Sequence, residues 1–358
     1  MSRRSARRER RQAKREKNKK DYTMEDVATN SVLYKSFWLS CKQVMFKESV
    51  QRYRLNLFFK NYELKEKMLN GEDVVQKLIS FWRFDRGKAR FIQSMLFPTR
   101  VSQKAIAVDI LQPEYFKRLI KENSASQKGK GLSFAAKVFE GQIREFLKKH
   151  QAGYILLIDF TKYFENIDHD KVIEFYKKNF KDERLVNYFI QSIKCYDKGL
   201  GLGSEISQFN AIIYLNTIDH YIKSRFKYYG RYMDDSYIIH SDKKELENFL
   251  EELKVLYSDY KVVLNPKKTK IFSFKQHFTF LKTRHKITDE KIVKKPARSC
   301  IVRERRRLKK QIKLHEKGVL TFEQINRSFV SWRGSMKHRN ARKSVFEMEK
   351  LFETLRRK

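Results

Sequence analysis

Three aspartates carry the clearest chemical signal in the chain. Asp159 lies at the C-terminal end of the apolar run Tyr154–Phe160, and Asp234 and Asp235 stand side by side between two β-rich runs. Clustered carboxylates repel one another, so three acids brought together favour a cation between them. Magnesium prefers such hard oxygen ligands. An Asp-Asp pair at a hairpin tip is more often simple turn chemistry, so this interpretation depends on the elements around the acids.

The surrounding pattern predicts the elements that would bring these acids together. The Ile- and Leu-rich run before Asp159 is typical of a strand covered on both faces, and KYYGRYMDDSYIIHS predicts a β-hairpin with carboxylates at its tip. Helices are expected over 168–180 and 207–226, and Asp242 with Glu245 favours a capped start for another. The order strand, helix, helix, hairpin, helix, strand indicates an α+β fold with helices on one face of an antiparallel sheet.

The flanking regions show different patterns. Residues 22–70 are expected to be mostly helical, with Trp38 and Phe46 among the residues of the apolar stripes. The next segment predicts a β-hairpin that turns at Gly87. After Pro296 the chain is expected to be helical and basic to its end.

The charge of the chain indicates a polyanionic partner. Lys and Arg number 80 against 42 acids, a formal net charge of +38. Nucleic acid is the polyanion that best suits this excess, and residues 1–20 are expected to form a disordered basic arm. The longest apolar run is too short to span a bilayer, so no membrane association is expected. The cysteines are isolated, without zinc-site spacing, which indicates a reducing, cytoplasmic location.

The quoted motifs resemble those of a known family. YMDD, with DFTKYF upstream at Asp159, is similar to the motif pair of reverse transcriptases, and the similarity extends from about Arg83 to Ala341. The resemblance implies a right-hand polymerase with fingers, a palm of antiparallel sheet backed by helices, and a short thumb. The implied boundaries are a basic arm over 1–20, N-terminal helices and fingers over 21–150, palm over 151–290 and a helical basic thumb over 291–358.

The resemblance also implies the activity, an RNA-directed DNA polymerase that transfers nucleotides from dNTPs. Two Mg²⁺ ions about 4 Å apart would activate the primer hydroxyl and neutralise the triphosphate, with Mn²⁺ able to substitute. By the resemblance, Asp159 and Asp234 hold both ions, Asp235 assists, and the carbonyl of Phe160 is a further ligand. The implied partners are an RNA template and a DNA or RNA primer.

Further residues match positions that contact the nucleotide in this family. Arg90, with Lys88 nearby, matches the finger residue that grips the triphosphate, a task for which a planar guanidinium is suited. Phe164 matches the steric gate that favours dNTP over rNTP, although a core aromatic is the alternative. Lys268 matches the lysine that protonates or neutralises pyrophosphate. Gln208 is expected near the nascent base pair.

Template and primer contacts are implied in the same way. Gly203 would permit close backbone approach, and Ser207 would lie near the base pair or cap a helix. Leu281 and Lys282 resemble the primer grip, with Lys282 where the family usually has glycine. Tyr232 and Met233 complete the primer and template set that the resemblance implies.

The motifs leave open the subclass of reverse transcriptase and two alternative functions. LGSEISQ after SQKGKG is similar to enzymes of diversity-generating retroelements, which use a small accessory protein, and phage-defence enzymes share much of the pattern. Retron and group II intron signatures fit less well. One rival is a non-catalytic nucleic-acid-binding scaffold with a polymerase-like fold. A palm-fold cyclase is another, but its GGDEF turn is absent. The oligomeric state is not predicted.

Overall fold

A computed structural model describes residues 21–75, 78–85, 88–288, 291–337 and 339–356. The nine strands are β1 Ile79–Asp85, β2 Lys88–Ser94, β3 Tyr154–Ile158, β4 Tyr228–Tyr232, β5 Asp235–His240, β6 Lys270–Ser273, β7 Phe278–Phe280, β8 Thr283–Ile287 and β9 Ile292–Pro296. The α-helices are α1 Asn30–Ser40, α2 Glu48–Leu55, α3 Leu57–Leu69, α4 Phe97–Ile106, α5 Gln112–Tyr115, α6 Leu132–Leu147, α7 Tyr163–Asn166, α8 His169–Asn179, α9 Glu183–Lys194, α10 Glu205–Ile213, α11 Asn216–Arg225, α12 Lys243–Asp259, α13 Arg298–Glu316, α14 Phe322–Met336 and α15 Arg342–Arg356.

The central sheet has four antiparallel strands in the order β4-β5-β3-β6. Strand β3 is therefore paired on both edges. Its side chains are almost all apolar. Alternate residues point to opposite faces of the strand. Leu156 and Ile158 join the larger core, whereas Ile155 and Leu157 join a second core. The sheet is thus covered on both faces, as the continuous apolar run predicts.

Helices cover both faces of this sheet. One face packs against the larger core, which includes residues of α8 to α12. The other face packs against α6 and against β7 and β8, where Phe139, Phe146, Phe278 and Ile287 belong to the second core. The α+β fold with an antiparallel sheet backed by helices is confirmed, but helices lie on both faces of the sheet, whereas the order of elements predicted them on one face.

The helix boundaries match the expected ones in two places and differ in a third. Asp168 caps α8 by accepting from the Lys171 amide at 3.0 Å, and Asp242 caps α12 by accepting from the Lys244 amide at 2.7 Å. The single helix expected over 207–226 is wrong, because the chain leaves helical geometry at Leu215 and forms α10 and α11. No Gly or Pro marks this break in the sequence.

The N-terminal region is helical, but two of its expected core residues face solvent. Trp38 lies at the surface of α1, and Phe46 is 81% exposed. Apolar periodicity alone could not separate them from buried neighbours such as Phe37. Strands β1 and β2 form the expected hairpin, with Arg83 opposite Arg90. Its predicted turn at Gly87 and the basic arm over 1–20 lie outside the described residues.

The C-terminal region begins within a second sheet. Strands β7, β8 and β9 form three antiparallel strands, so the expected palm–thumb boundary at 290 falls between two paired strands. Helices α13, α14 and α15 then pack around a separate core that contains Leu308, Phe329 and Met348. Among the described residues, no helix is both long and apolar enough to cross a membrane.

Candidate active site

Asp159 follows β3 and is held by the loop that precedes β6. Its carbonyl accepts from the Asn265 amide at 2.8 Å, and the adjacent Thr161 amide donates to the Val263 carbonyl at 2.9 Å. Asp159 as a residue is 5% exposed. The Asn265 Nδ2 donates to Oδ1 at 3.1 Å, and the Lys268 Nζ lies 2.5 Å from Oδ2. Both carboxylate oxygens of Asp159 therefore have partners.

Asp234 lies in the turn between β4 and β5, and Asp235 is the first residue of β5. Met233 adopts a positive φ of 59°, which closes the turn, and Tyr232 pairs with Asp235 across it. In the β3–β5 pairing, Ile158 lies opposite Ser236. One residue further along this register, Asp159 comes opposite Asp235. The structure therefore brings the three predicted acids to one end of two adjacent strands.

The electrostatics of these acids show mutual repulsion. Burial raises the pKa of Asp235 to about 7, and the negative charges of Asp234 and Asp159 add to the rise. Burial and the charge of Asp159 also raise the pKa of Asp234, while Lys268 and Arg90 oppose that rise. A cation placed among these carboxylates would relieve the repulsion.

This donor set fits a hard divalent cation, since three carboxylates with unfavourable mutual charge are the ligands that magnesium prefers. The side chains are not pre-arranged as a cage, however. Within the described part of the chain, no group of three or more His, Cys, Asp or Glu residues is positioned to hold a metal ion. The Lys268 ammonium forms an ion pair with Asp159 and so already occupies one of its carboxylate oxygens.

Arg231, on β4, is a positioning residue that sequence reasoning missed. Its guanidinium donates from Nε to Asp219 Oδ1 at 2.8 Å and from Nη2 to Asp219 Oδ2 at 2.6 Å. Its Nη1 donates to the Met233 carbonyl at 2.9 Å, and its Nη2 also donates to the Ile212 carbonyl at 2.6 Å. A buried ion pair thus anchors the turn that carries Asp234. The one available signal was an arginine inside the otherwise uncharged segment YYGRYM.

The β1–β2 hairpin lies close to the carboxylates. Arg90 is exposed on β2, near enough for its charge to lower the pKa of Asp234. Gly203 has a φ of +117°, and a Cβ there would lie 3.7 Å from the Gln93 carbonyl oxygen of the same strand. The loop before α10 therefore packs against the hairpin. The side chain of Lys88 lies outside the described part of the chain.

Other predicted nucleotide contacts differ in accessibility. Phe164 is partly buried at the edge of the larger core, with its ring 6.0 Å from that of Tyr163. Gln208 is exposed, whereas Ser207 is buried. The cap of α10 is Ser204, whose Oγ accepts from the Ser207 amide at 3.2 Å, so the expected cap at Ser207 is wrong. The contacts of Phe164, Gln208 and Ser207 with substrate stay predictions.

The remaining predicted residues lie in or next to two turns. Tyr232 and Met233 pack against a small cluster that includes Ile212, beside the β4–β5 hairpin. Leu281 and Lys282 form the two-residue turn between β7 and β8, with φ of 45° and 62°. Such a turn suits glycine or asparagine, because two successive residues need the left-handed region. Their predicted role in gripping a primer is not tested by this geometry.

A palm-like sheet that presents acids from β3 and from a neighbouring hairpin is the arrangement of template-directed nucleotidyltransferases. Residues 78–288 match the model of the family described as reverse transcriptase (RNA-dependent DNA polymerase). The chain belongs to the reverse transcriptase family, a class of RNA-directed DNA polymerases. The match includes Asp159, Asp234 and Asp235. No curated protein matches the chain.

Among solved structures, 171 chains are similar to this one. Among them is an apo telomerase from Candida tropicalis, truncated from its C-terminal domain, at 13% identity and a TM-score of 0.48. The match covers 62% of this chain and 55% of that one, so the chain spans little more than half of the telomerase chain.

Proposed function

We propose that the protein extends a primer on an RNA template with dNTPs, by two-metal-ion catalysis at Asp159, Asp234 and Asp235. The observation that carries the proposal is the β3–β5 register, which sets Asp159 opposite Asp235 beside a hairpin tip that carries Asp234. The raised pKa values of Asp234 and Asp235 support it, because burial and the neighbouring negative charges both disfavour the ionised carboxylates and a bound cation would offset this.

Two Mg²⁺ ions, or Mn²⁺ in their place, would supply charge neutralisation at the triphosphate and activation of the primer hydroxyl. Asp159 and Asp234 would hold them, with help from Asp235 and the carbonyl of Phe160. Binding of the ions would require the Lys268 ammonium, which lies 2.5 Å from Asp159 Oδ2, to move away from that oxygen. The released ammonium would then be available to neutralise or protonate departing pyrophosphate.

The other predicted residues would contact the nucleotide, the template or the primer. Arg90 and Lys88 on the fingers hairpin would grip the triphosphate, and Gln208 would face the nascent pair. Phe164 would exclude a ribose 2′-hydroxyl. We assign template and primer contacts to the residues Gly203, Ser207, Tyr232, Met233, Leu281 and Lys282.

We also propose the wider setting. The chain would divide into a basic arm, fingers, palm and thumb, with the thumb helices beginning at Arg298. The partners would be template RNA, a DNA or RNA primer and a small accessory protein, within a bacterial or phage retroelement or defence system. We propose a cytoplasmic location.

The competing function is a nucleic-acid-binding scaffold that has lost catalysis. One observation favours it: both oxygens of Asp159 already have protein partners, Asn265 and Lys268. A resting enzyme and an inactive scaffold would share this geometry, and they differ in whether magnesium restores turnover.

A primer-extension assay tests the proposal. Purified protein with an RNA template, an annealed DNA primer, dNTPs and Mg²⁺ should extend the primer, and Asp234→Asn should reduce extension by about a hundredfold or more. The matched control is Asp259→Asn at the exposed end of α12, which should extend normally. RNA affinity should be retained in both variants. Absence of extension by the unmodified protein with every primer and metal tried would favour the scaffold.

Substrate choice provides a second measurement at the same site. Phe164→Ala should increase rNTP incorporation relative to dNTP, because the removed ring would no longer meet the 2′-hydroxyl. An unchanged preference in a variant that still extends primers would return Phe164 to the core.

A further inference from the structure

A cavity of about 310 Å³ lies on the helical side of the palm, away from the carboxylates. Residues of α8, α10 and α11 line it, together with Tyr115 of α5 and Tyr260 just after α12. None of its described lining residues belongs to the proposed active site. The cavity is therefore a separate feature of the fold.

Several buried polar atoms in this wall lack a partner. Asn210 is 0% exposed, and its Oδ1 accepts from the Tyr176 hydroxyl at 2.5 Å. Its Nδ2, the Tyr115 hydroxyl and the Asn216 Oδ1 have no hydrogen-bond partner among the described residues. Buried polar groups are rarely left unpaired, because desolvation then goes uncompensated, so the wall is suited to a polar ligand.

The rim adds positive charge. Arg118, Lys171 and Lys178 line the cavity, with Glu174 as the acid among the described lining residues. Lys178 lies 2.5 Å from Glu174. The ammonium of Lys171 instead lies 4.9 Å from the centre of the Tyr260 ring, where it can still bind an anion.

Aromatic rings complete the cavity. Four aromatic residues line it in two pairs: the ring centres of Tyr115 and Phe175 are 5.1 Å apart, and those of Tyr214 and Tyr260 are 5.4 Å apart. The Tyr214 hydroxyl donates to the Tyr260 carbonyl at 2.7 Å, which fixes that ring. Flat apolar surfaces of this kind stack on a planar heterocycle.

We propose that this cavity binds one nucleotide unit. Its base would lie against the aromatic rings, its polar edge would meet the Asn210 amide and the Asn216 Oδ1, and its phosphate would meet Lys171. The unit could be a free nucleotide or an unpaired nucleotide of a bound RNA strand, since both present the same base and phosphate. The site goes beyond the proposed polymerase activity and needs no metal ion.

The test uses the full-length protein and AMP in a calorimetric titration with EDTA, which removes the divalent ions that the carboxylate site requires. AMP should bind, and Lys171→Gln should weaken it about tenfold, the scale of one charge-assisted contact. Lys177→Gln is the matched control, because Lys177 is exposed on the same helix and does not line the cavity. Asn210→Asp should abolish binding by replacing a donor with a negative oxygen. If Asn210→Asp fails to fold, the comparison of Lys171→Gln with Lys177→Gln still tests the proposal.

A second titration with a short single-stranded RNA separates the two sources. If AMP does not bind but Lys171→Gln weakens RNA binding and Lys177→Gln does not, the unit belongs to a strand and the proposal stands. Equal effects of Lys171→Gln and Lys177→Gln on both ligands would overturn it. So would inorganic phosphate binding as tightly as AMP, because that result would reveal an anion site without base recognition.

Discussion

Arg231 and Asp219 form a two-pronged ion pair that is almost completely buried, with exposed fractions of 2% and 1%. The Tyr229 hydroxyl also donates to Asp219, at 2.6 Å, so the carboxylate is fully engaged. Because Arg231 also holds the Met233 carbonyl, this pair connects helix α11 to the turn that carries Asp234. The same ion pair therefore stabilises the fold and holds the candidate catalytic turn in place.

Arg231→Leu should destabilise the fold strongly. The substitution leaves the Asp219 charge buried without its partner, and breaking one side of a buried pair costs about 3–5 kcal/mol. Urea unfolding measures the loss. Arg225→Gln is the control, since Arg225 pairs with Glu252 at the surface, where such pairs contribute about 0–1 kcal/mol. Similar losses in the two variants would contradict the importance of the buried pair.

Lys268→Met should lower the magnesium concentration needed for half-maximal primer extension. Lys268 competes for Asp159 Oδ2, so its removal should strengthen metal binding about tenfold, the effect of roughly 1.4 kcal/mol. Maximal turnover should fall at the same time, because pyrophosphate loses its compensating ammonium. Lys267→Met, at the exposed neighbouring position, should change neither quantity. A higher magnesium requirement in Lys268→Met would show that Lys268 does not compete with the metal.

His285 should make the β7–β9 sheet sensitive to acid. Burial, followed by the charges of Lys294 and Arg339, lowers its pKa from 6.5 to about 4, and its ring stacks on Phe278. As the pH falls, His285 is therefore protonated at a higher pH in the unfolded chain than in the folded protein. The stabilisation is fully present above pH 6.5 and is lost as pH falls towards 4, a total of about 3 kcal/mol.

The measurement for His285 is urea unfolding at pH 7.5 and at pH 5. His285→Phe should flatten the difference between the two, while His277→Phe, at an exposed position, should leave it unchanged. An equal pH response in His285→Phe and the unmodified protein would show that another group carries the acid sensitivity.

Lys282→Gly should stabilise the protein by about 1 kcal/mol, because glycine adopts a positive φ without the steric cost that a side chain meets. Differential scanning calorimetry should show a higher Tm. Lys286→Gly, in the extended strand β8, should lower Tm instead, because glycine weakens a strand. A lower Tm for Lys282→Gly would mean that the contacts of the lysine side chain outweigh the strain of the turn.

The sequence was informative where local pattern and burial agree. The run before Asp159 and the hairpin around Asp234 were predicted because strand periodicity and turn chemistry are local properties. The break at Leu215 was not, since its neighbours favour a continuous helix and only packing interrupts them. The role of Arg231 was also hidden, because its partner Asp219 lies on a different element, and distance along a chain does not reveal which side chains meet.

Because β3 is packed against a core on each of its two faces, an error in its strand register would affect both packing and activity. A slip of one residue between β3 and β5 would carry Asp159 past Asp235 and, at once, exchange the side chains that Leu156 and Ile155 send into the two cores. A misregistered molecule would thus lose its packing together with its chemistry. Protease should digest these misregistered, inactive molecules. The specific activity of the remaining protein should then equal that of the correctly folded form.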